Sequence, residues 1–600
     1  MAKTLGLSIP ELVKPEKDFF FLKPRKVDDW LDSLPRGNVG ETARQIFDAL
    51  VESNHYSYPY QARQHFLDAS RETVLYVTDA MKRHFVSISA PLPEKNRKIA
   101  SATREIHHAM AIGYMITIEN MLQASLLFSD NHSLATLIQR AISSFGRVLL
   151  TSYQTYTPYP NAIWASIHKL YLAAEQRKIH AVTIKDEHYN HSHLTTICAE
   201  YVRLLLVALT SPYRLRQGEV GKVYEILPRW VSRCRLHPLE ELNAHPKARF
   251  GVDLLSDEPP RAVKQLAEHT DTTACRIMDS ETLTHTIRKD LKQGFKTGET
   301  TITGIEMTRA DLSRDLMRRL LIAWCIFPKR NFSRSQKDEK VQVTLGLTTT
   351  HQVIISGNPQ PGAADDMFAH EARFEANNVR NNIRERQPDV WDMIYFPTDT
   401  DGFGLLEKQF EKEQASGGKK HDYSAETWLI LNESAQGYCL QTLGDTRIRA
   451  QVGELVGIRR HTADQTWKWG IGVIRWLRSD TQNELMIGVE MLTPDAAAIG
   501  MRAINSTGKE YQRTLMLPEL PAVNQPTTLV TPSVPYRTGQ KLVINLLGKE
   551  IMIQLNKQVQ NSGLFAQFQF EILEQQTLSA QDDSPNDGTE PDFSGVWSSI

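Results

Sequence analysis

From residue 39 to about residue 233, apolar positions recur at i, i+3, i+4 and i+7. The runs "QARQHFLDASRETVLYVTDAMKRHF", "RKIASATREIHHAMAIGYMITIENMLQASLLF" and "HLTTICAEYVRLLLVALTS" show it most clearly. That period is the stripe of a helix burying one face. Short connections bearing Pro or Gly, such as "TPYPN" and "SPYRLRQGEVG", suit antiparallel neighbours and predict an all-helical domain over 39–235. The preceding residues 1–38 carry Pro10, Pro15, Pro24 and Pro35 without sustained period and read as an extended arm. Residues 236–327 form a mixed connector: a short strand is expected in "ARFGVDLLSDEPP", helices in "AVKQLAEH" and "ETLTHTIRKDLKQG", and a last helix in "TRADLSRDLMRRLLIAWCI". That helix stops at Phe327, because the residue before Pro328 is pushed out of the helical region.

After Pro328 the period drops towards two. "KVQVTLGL", "HQVIISG", "TWLILNES", "GYCLQTL", "LVGIRR", "WGIGVIRWL" and "ELMIGVEML" are β-rich runs between Gly, Asn and Asp turns, the pattern of a small barrel or sandwich over 328–508. Residues 358–425 interrupt it with the helical "AADDMFAHEARFEANNVRNNIRERQ" and the polar "EKEQASGGKKHD", and read as an insertion. Further β runs, "TTLVTPS", "KLVINLLGKEIMIQL" and "FAQFQFEIL", fill an additional β segment over 509–575. Residues 576–600 are an acidic tail rich in Ser, Pro and Gly, expected to be disordered. The prediction is a multidomain α + β chain: a helical N-terminal domain, then an antiparallel β-barrel with a helical insertion and extra C-terminal strands.

Composition narrows the function. With 69 basic and 70 acidic side chains in 600 residues, the chain as a whole has no field to draw nucleic acid or an anionic membrane, so any anion site is local. Five scattered cysteines without a CxxC pair argue against a disulfide framework or structural zinc and fit a reducing cytoplasm. No signal peptide or membrane span is expected, since the most apolar stretch is broken by Glu119, Asn120 and Gln123.

Two polar clusters flank the β runs. "PKRNFSR" sets Lys329, Arg330 and Arg334 before the first run. "NESAQG" sets Asn432, Ser434 and Gly437 at the end of a later one. An arginine offers a planar donor fork that pairs with a phosphate or with guanine O6 and N7, and two of them can converge on one compact anion. Asn and Ser add an amide and a hydroxyl, and Gly permits close backbone approach and positive φ. These groups bind ligands, and they include no nucleophile with its base and no metal set. Each cluster alone also reads as a solvated face or a hairpin turn.

Taken together, Arg330-x-x-x-Arg334 and Asn432-x-Ser434-x-x-Gly437, followed by "GIGVIRWL" and "IGVEML", resemble the signatures of the PilZ family over about residues 328–498, outside the insertion. The resemblance implies a β-barrel receptor for cyclic di-GMP, with Arg330, Arg334, Asn432, Ser434 and Gly437 as ligand contacts and Lys329 and Arg475 as additional ones. It implies no catalytic residue, metal or cofactor. It further implies an effector, rather than an enzyme, that passes the second-messenger level to a protein partner through its helical domain, in surface motility, type IV pili or biofilm control. Asn432 stands where Asp is commoner, and the arginine and asparagine motifs are split by the insertion. The alternatives are a barrel that binds no nucleotide and serves protein interaction, or an enzyme built on the polar stretch "DEHYNHSH", where His188, His191 and His193 lie near Asp186 and Glu187. That stretch reads equally as a loop before a helix.

Overall fold

The computed structural model describes residues 4–15, 19–124, 130–188, 193–266, 272–297, 312–325, 333–357, 424–444, 446, 448–461, 467–480, 484–504, 511–521, 525–546 and 549–573. Lys329, Arg330, His191, nearly all of the 358–425 insertion and the C-terminal tail lie outside these residues. The chain divides into two compact units, the first ending at Arg330 and the second starting at Asn331.

In the first unit, α1 (Pro24–Ser33), α2 (Val39–His55), α3 (Tyr60–Lys82), α4 (Glu94–Ala124), α5 (Asn131–Gln154) and α6 (Ile163–Gln176) precede a two-stranded ribbon, β1 (Ile184–Lys185) and β2 (Leu194–Thr195). Then come α7 (Ile197–Leu209) and α8 (Glu219–Ile226). From Ile106 to Leu122, helix α4 is buried on nearly every side among α2, α3 and α5, as expected of its almost wholly apolar second half. The starts of α2, α5 and α7 are capped by Asn38, Asp130 and Thr196, whose side chains accept backbone N–H groups of the first turn.

The expected extended arm differs from the structure at residues 24–33, which form α1. Pro24 stands in the first turn, where its missing N–H costs nothing and its fixed φ suits a helix. Ahead of it, buried Glu119 of α4 accepts the N–H groups of Leu5 (3.0 Å) and Leu7 (2.6 Å), pinning the N-terminus to the core.

The connector folds as a four-stranded sheet ordered β3-β6-β4-β5, made of β3 (Arg235–Pro238), β4 (Phe250–Asp253), β5 (Arg261–Ala262) and β6 (Cys275–Asp279). Three helices accompany it: the single turn α9 (Val263–Leu266), α10 (Glu281–Thr297) and α11 (Arg314–Cys325). Buried Trp324 of α11 donates Nε1 to the carbonyl of Leu206 in α7 at 3.0 Å, and Arg319 grips Glu219 of α8, so α11 is docked on the helical core. One apolar core runs from Leu7 to Trp324.

In the second unit, β7 (Ser335–Leu345), β8 (Glu426–Ser434), β9 (Gly437–Thr442), β10 (Leu455–His461), β11 (Trp467–Ser479) and β12 (Leu485–Thr493) close a barrel in the order β10-β11-β12-β9-β8-β7. Val343, Trp428, Ile430, Leu440, Ile458 and Ile487 are fully buried, and the register points them to the barrel interior. A second closed barrel follows from β13 (Ala497–Ala503), β14 (Gln512–Leu517), β15 (Thr528–Pro532), β16 (Lys541–Leu546), β17 (Lys549–Asn561) and β18 (Phe565–Ile572), so its first strand starts ahead of the expected 509.

"HQVIISG", expected as a β run, is instead the end of helix α12 (Leu347–Gly357). Gly346, at φ +81°, turns the chain out of β7, and Leu347, His351 and Ile354 fall at helical spacing. His351 and Ile354 are buried between the two barrels, where Nε2 of His351 meets the carbonyl of Ile499 at 3.0 Å. Packing on both barrels outweighs the β propensity of this short Val/Ile/Thr-rich run.

Candidate functional site

Arg334 immediately precedes β7, whose first residues run opposite the last of β8: Ser335 pairs with Glu433 and Gln336 with Asn432. A two-residue turn, Ala435-Gln436, joins β8 to β9 and pairs Ser434 with Gly437 and Asn432 with Cys439. In β12, Glu490 lies opposite Gly437 and Gly488 opposite Cys439. In β11, Trp476 lies opposite Gly488. Side chains alternate along a strand and face alike across a pair. Gln336, Asn432, Cys439, Gly488 and Trp476 therefore form one row across the outer face of the barrel. Arg334, Ser434, Gly437 and Glu490 form the next row, nearer the barrel end. Arg334 and the asparagine motif, 98 positions apart in sequence (432 − 334), thus meet on one surface.

Both glycines of this surface are required by close approach. A Cβ on Gly437 would stand 1.9 Å from the carbonyl oxygen of Val489, and one on Gly488 would stand 1.8 Å from Nε1 of Trp476, so the indole lies directly over the Gly488 backbone. Close approach at Gly437 is as expected. Positive φ is not: the left-handed glycines of the described residues do not include Gly437, because an extended pairing with β12 leaves its backbone in the strand region.

The polar groups are partly committed. Ser434 donates its hydroxyl to the Gly437 carbonyl at 3.2 Å, which firms the hairpin. Burial pushes the Cys439 thiol up, while the charge of the Arg334 guanidinium and a hydrogen bond from the Asn432 side chain pull the other way, so Asn432 touches this thiol and the field of Arg334 reaches it. Arg334 itself is exposed. Arg475 stands at a bulge in β11, beside Trp476, and its Nε binds Oε2 of Glu490 at 2.7 Å. Arg475 thus reaches the second row through a carboxylate and must exchange that partner to meet an anion.

The inner face at the same barrel end is closed by charge. Arg460 reaches Glu339 (2.6 Å), Glu433 (2.9 Å) and the Tyr438 hydroxyl (3.1 Å). Hydrogen bonding to Glu339 raises the Arg460 guanidinium, and the same bond lowers the Glu339 carboxyl. These charges offset one another on the inner face, whereas Arg334 stands exposed on the outer face.

Trp476, Gly488, Cys439 and Glu490 escape a reading based on the two motifs. Their signals, "RW" in β11 and "GVE" in β12, mark strands, and only pairing brings them to the motif residues. In the first unit, Asp186 of the "DEHYNHSH" stretch is already used. Asp186 is buried and accepts from Arg71 (2.9 Å), Gln139 (3.2 Å) and the backbone N–H of His188 (3.1 Å), and Nδ1 of His193 meets the Glu187 carbonyl at 3.0 Å. Asp186, His188 and His193 are thus braced where β1 ends and β2 begins, while residues 189–192 of the stretch, His191 among them, lie outside the described residues.

A barrel of this strand order with an arginine ahead of its first strand and an Asn-x-Ser-x-x-Gly hairpin is a PilZ domain. Three family models match the chain in succession: the N-terminal domain of the cyclic-di-GMP receptor FimW over residues 25–241, its middle PilZ domain over 250–498, and the FimW C-terminal β-barrel domain over 499–573. The chain belongs to the family that these models describe. The cyclic-di-GMP receptor FimW of Pseudomonas aeruginosa is 28% identical over 99% of either chain.

Proposed function

We propose that this chain is a cytoplasmic cyclic di-GMP effector whose first barrel takes the dinucleotide on its outer face. The carrying observation is that Arg334, Asn432 and Ser434 share one surface with Trp476, whose indole the bare Gly488 backbone admits to that face. Arg334 pairs with a phosphate or a guanine edge, and Arg330, four positions earlier, supplies the second guanidinium. Asn432 and Ser434 meet a guanine edge. Trp476 offers an aromatic plane on which a base stacks, and Lys329 and Arg475 add charge at the rim. The name of the Pseudomonas relative, a cyclic-di-GMP receptor, supports the same ligand.

The output runs through the helical domain to a protein partner, in surface motility, type IV pili or biofilm control. Ligand biases that output only through contacts that differ between the bound and free states. Titration calorimetry of the full chain with cyclic di-GMP tests the reading. Saturable binding that Arg334→Ala and Arg330→Ala each weaken by about 1.5–3 kcal/mol supports it. Absence of heat at micromolar ligand sinks it and leaves the barrel as a protein-interaction module.

A further inference from the structure

Outside the barrels, one group of metal-ligating side chains converges among the described residues: His237, Glu241 and His245, with one donor atom of each within 4.8 Å of the others. The spacing is i, i+4, i+8. His237 lies on β3, Glu241 in the single turn Leu239–Asn243 that follows, and His245 just beyond it. The N–H of His245 bonds back to the Glu241 carbonyl at 3.2 Å, a helical turn that puts both side chains on one face. Oε2 of Glu241 is 3.4 Å from Nδ1 of His237 and 3.9 Å from Nε2 of His245. Around a tetrahedral zinc with ligand bonds of about 2.0–2.2 Å, neighbouring donors stand roughly 3.3–3.5 Å apart. The carboxylate is therefore within a few tenths of an ångström of that spacing from both rings.

A fourth residue stands behind this set. Nδ1 of His245, the nitrogen that faces away from Glu241, is 3.8 Å from Oδ2 of Asp279 at the end of β6. Asp279 is itself held, its Oδ1 accepting the N–H of Glu281 at 2.9 Å. A carboxylate behind a histidine fixes the tautomer that presents the other nitrogen to a metal. Nε2 of His237 is buried without a hydrogen-bond partner among the described residues, so none of those residues ties that ring to the opposite tautomer.

The two imidazoles now stack at 3.7 Å with a 21° tilt. Closing on an ion requires them to turn out of the stack, which their partial exposure permits. We infer that His237, Glu241 and His245, oriented by Asp279, form a binding site for one divalent transition metal of the zinc class, which clips β3 and the following turn to β6. Two neutral imidazoles and a carboxylate are a donor set that suits zinc, and the half-exposed Glu241 side leaves a coordination position for water.

The test uses the full chain, stripped with a chelator and titrated with zinc, and in parallel with cobalt(II), whose visible ligand-field spectrum reports nitrogen and oxygen ligation. One equivalent of tightly bound zinc and a raised melting temperature are expected. His237→Ala combined with His245→Ala should weaken zinc by at least about 100-fold and abolish the melting shift. Glu241→Gln, at a half-exposed position, should weaken zinc without unfolding the chain. Asp279→Asn keeps the acceptor for Glu281 and should cost roughly 10–100-fold in zinc affinity. Failure of the parent chain to bind zinc overturns the assignment. So does unchanged affinity in the double variant, or in Glu241→Gln and Asp279→Asn together.

Discussion

The two barrels of the second unit share one topology and use the same face oppositely. Substituting β13 for β7, β14 for β8, β15 for β9, β16 for β10, β17 for β11 and β18 for β12 converts the strand order of the first barrel into that of the second, with every pair antiparallel. In the first barrel, the outer face of β8, β9 and β12 carries Asn432, Ser434, Cys439 and two glycines. In the second, the equivalent strands β14, β15 and β18 carry Leu515, Leu517, Val530 and Phe565, which pack with Trp469, Ile471 and Val473 of the first barrel and Ile354 of α12. Strand order thus fixes which face is available, and side-chain chemistry decides whether it receives a ligand or a neighbour. Polar groups and bare backbone suit a hydrated anion, whereas a Leu/Val/Phe surface exposed to water seeks another apolar surface.

The contrast breaks first at Phe565, which is 1% exposed in the shared apolar cluster. Phe565→Ala should destabilise the barrel pair by about 3–5 kcal/mol, read by chemical denaturation of the full chain. A loss below 1 kcal/mol would mean that the face is not a packed interface. On the other barrel, Arg334→Ala should leave the melting temperature nearly unchanged while weakening cyclic di-GMP by about 1.5–3 kcal/mol, the worth of charge-assisted hydrogen bonds. Arg334→Lys should recover only part of this, since an ammonium lacks the bidentate fork.

The interface between the barrels should also respond to acid. Burial holds His351 at about 4, below its ordinary 6.5, so the unfolded chain takes up a proton that the folded chain refuses. Stability from this group is complete above pH 6.5. It falls by about 1.4 kcal/mol per pH unit as the pH drops towards 4. His351→Gln should flatten that slope in denaturation curves measured between pH 7 and 5. The smallest effect is expected at Ser434→Ala, about 0.5–1.5 kcal/mol in ligand affinity, since its hydroxyl already serves the Gly437 carbonyl. An effect as large as that of Arg334→Ala would put Ser434 at the centre of the site.

Arg334, Asn432, Ser434 and Gly437 were legible as a set because their types and spacings carry the chemistry of phosphate and guanine recognition. Trp476 and Gly488 were not, since a Trp on a strand and a Gly within one look alike whether they face a ligand or a core. The helix at 347–357 runs against its sequence pattern for a related reason: a Thr/Val/Ile run has β preference, and only two barrels closing on it make helical packing the better arrangement. The His237–Glu241–His245 spacing gives no signal in the sequence, because it joins a strand end to a single turn, where no sustained period marks which side chains share a face.

The sequence by itself determined the helical and β-rich halves, the residues able to grip an anion, and one glycine, Gly437, placed for close backbone approach. Local period, donor inventory and steric size are properties each residue carries with it. Only the tertiary structure decided that motifs 98 positions apart (432 − 334) share a surface and that the second barrel repeats the first. The same strands are polar and open in one barrel and apolar and covered in the other. Those outcomes depend on strand pairing and on which faces are buried together, and such long-range contacts become favourable only once the whole barrel has closed.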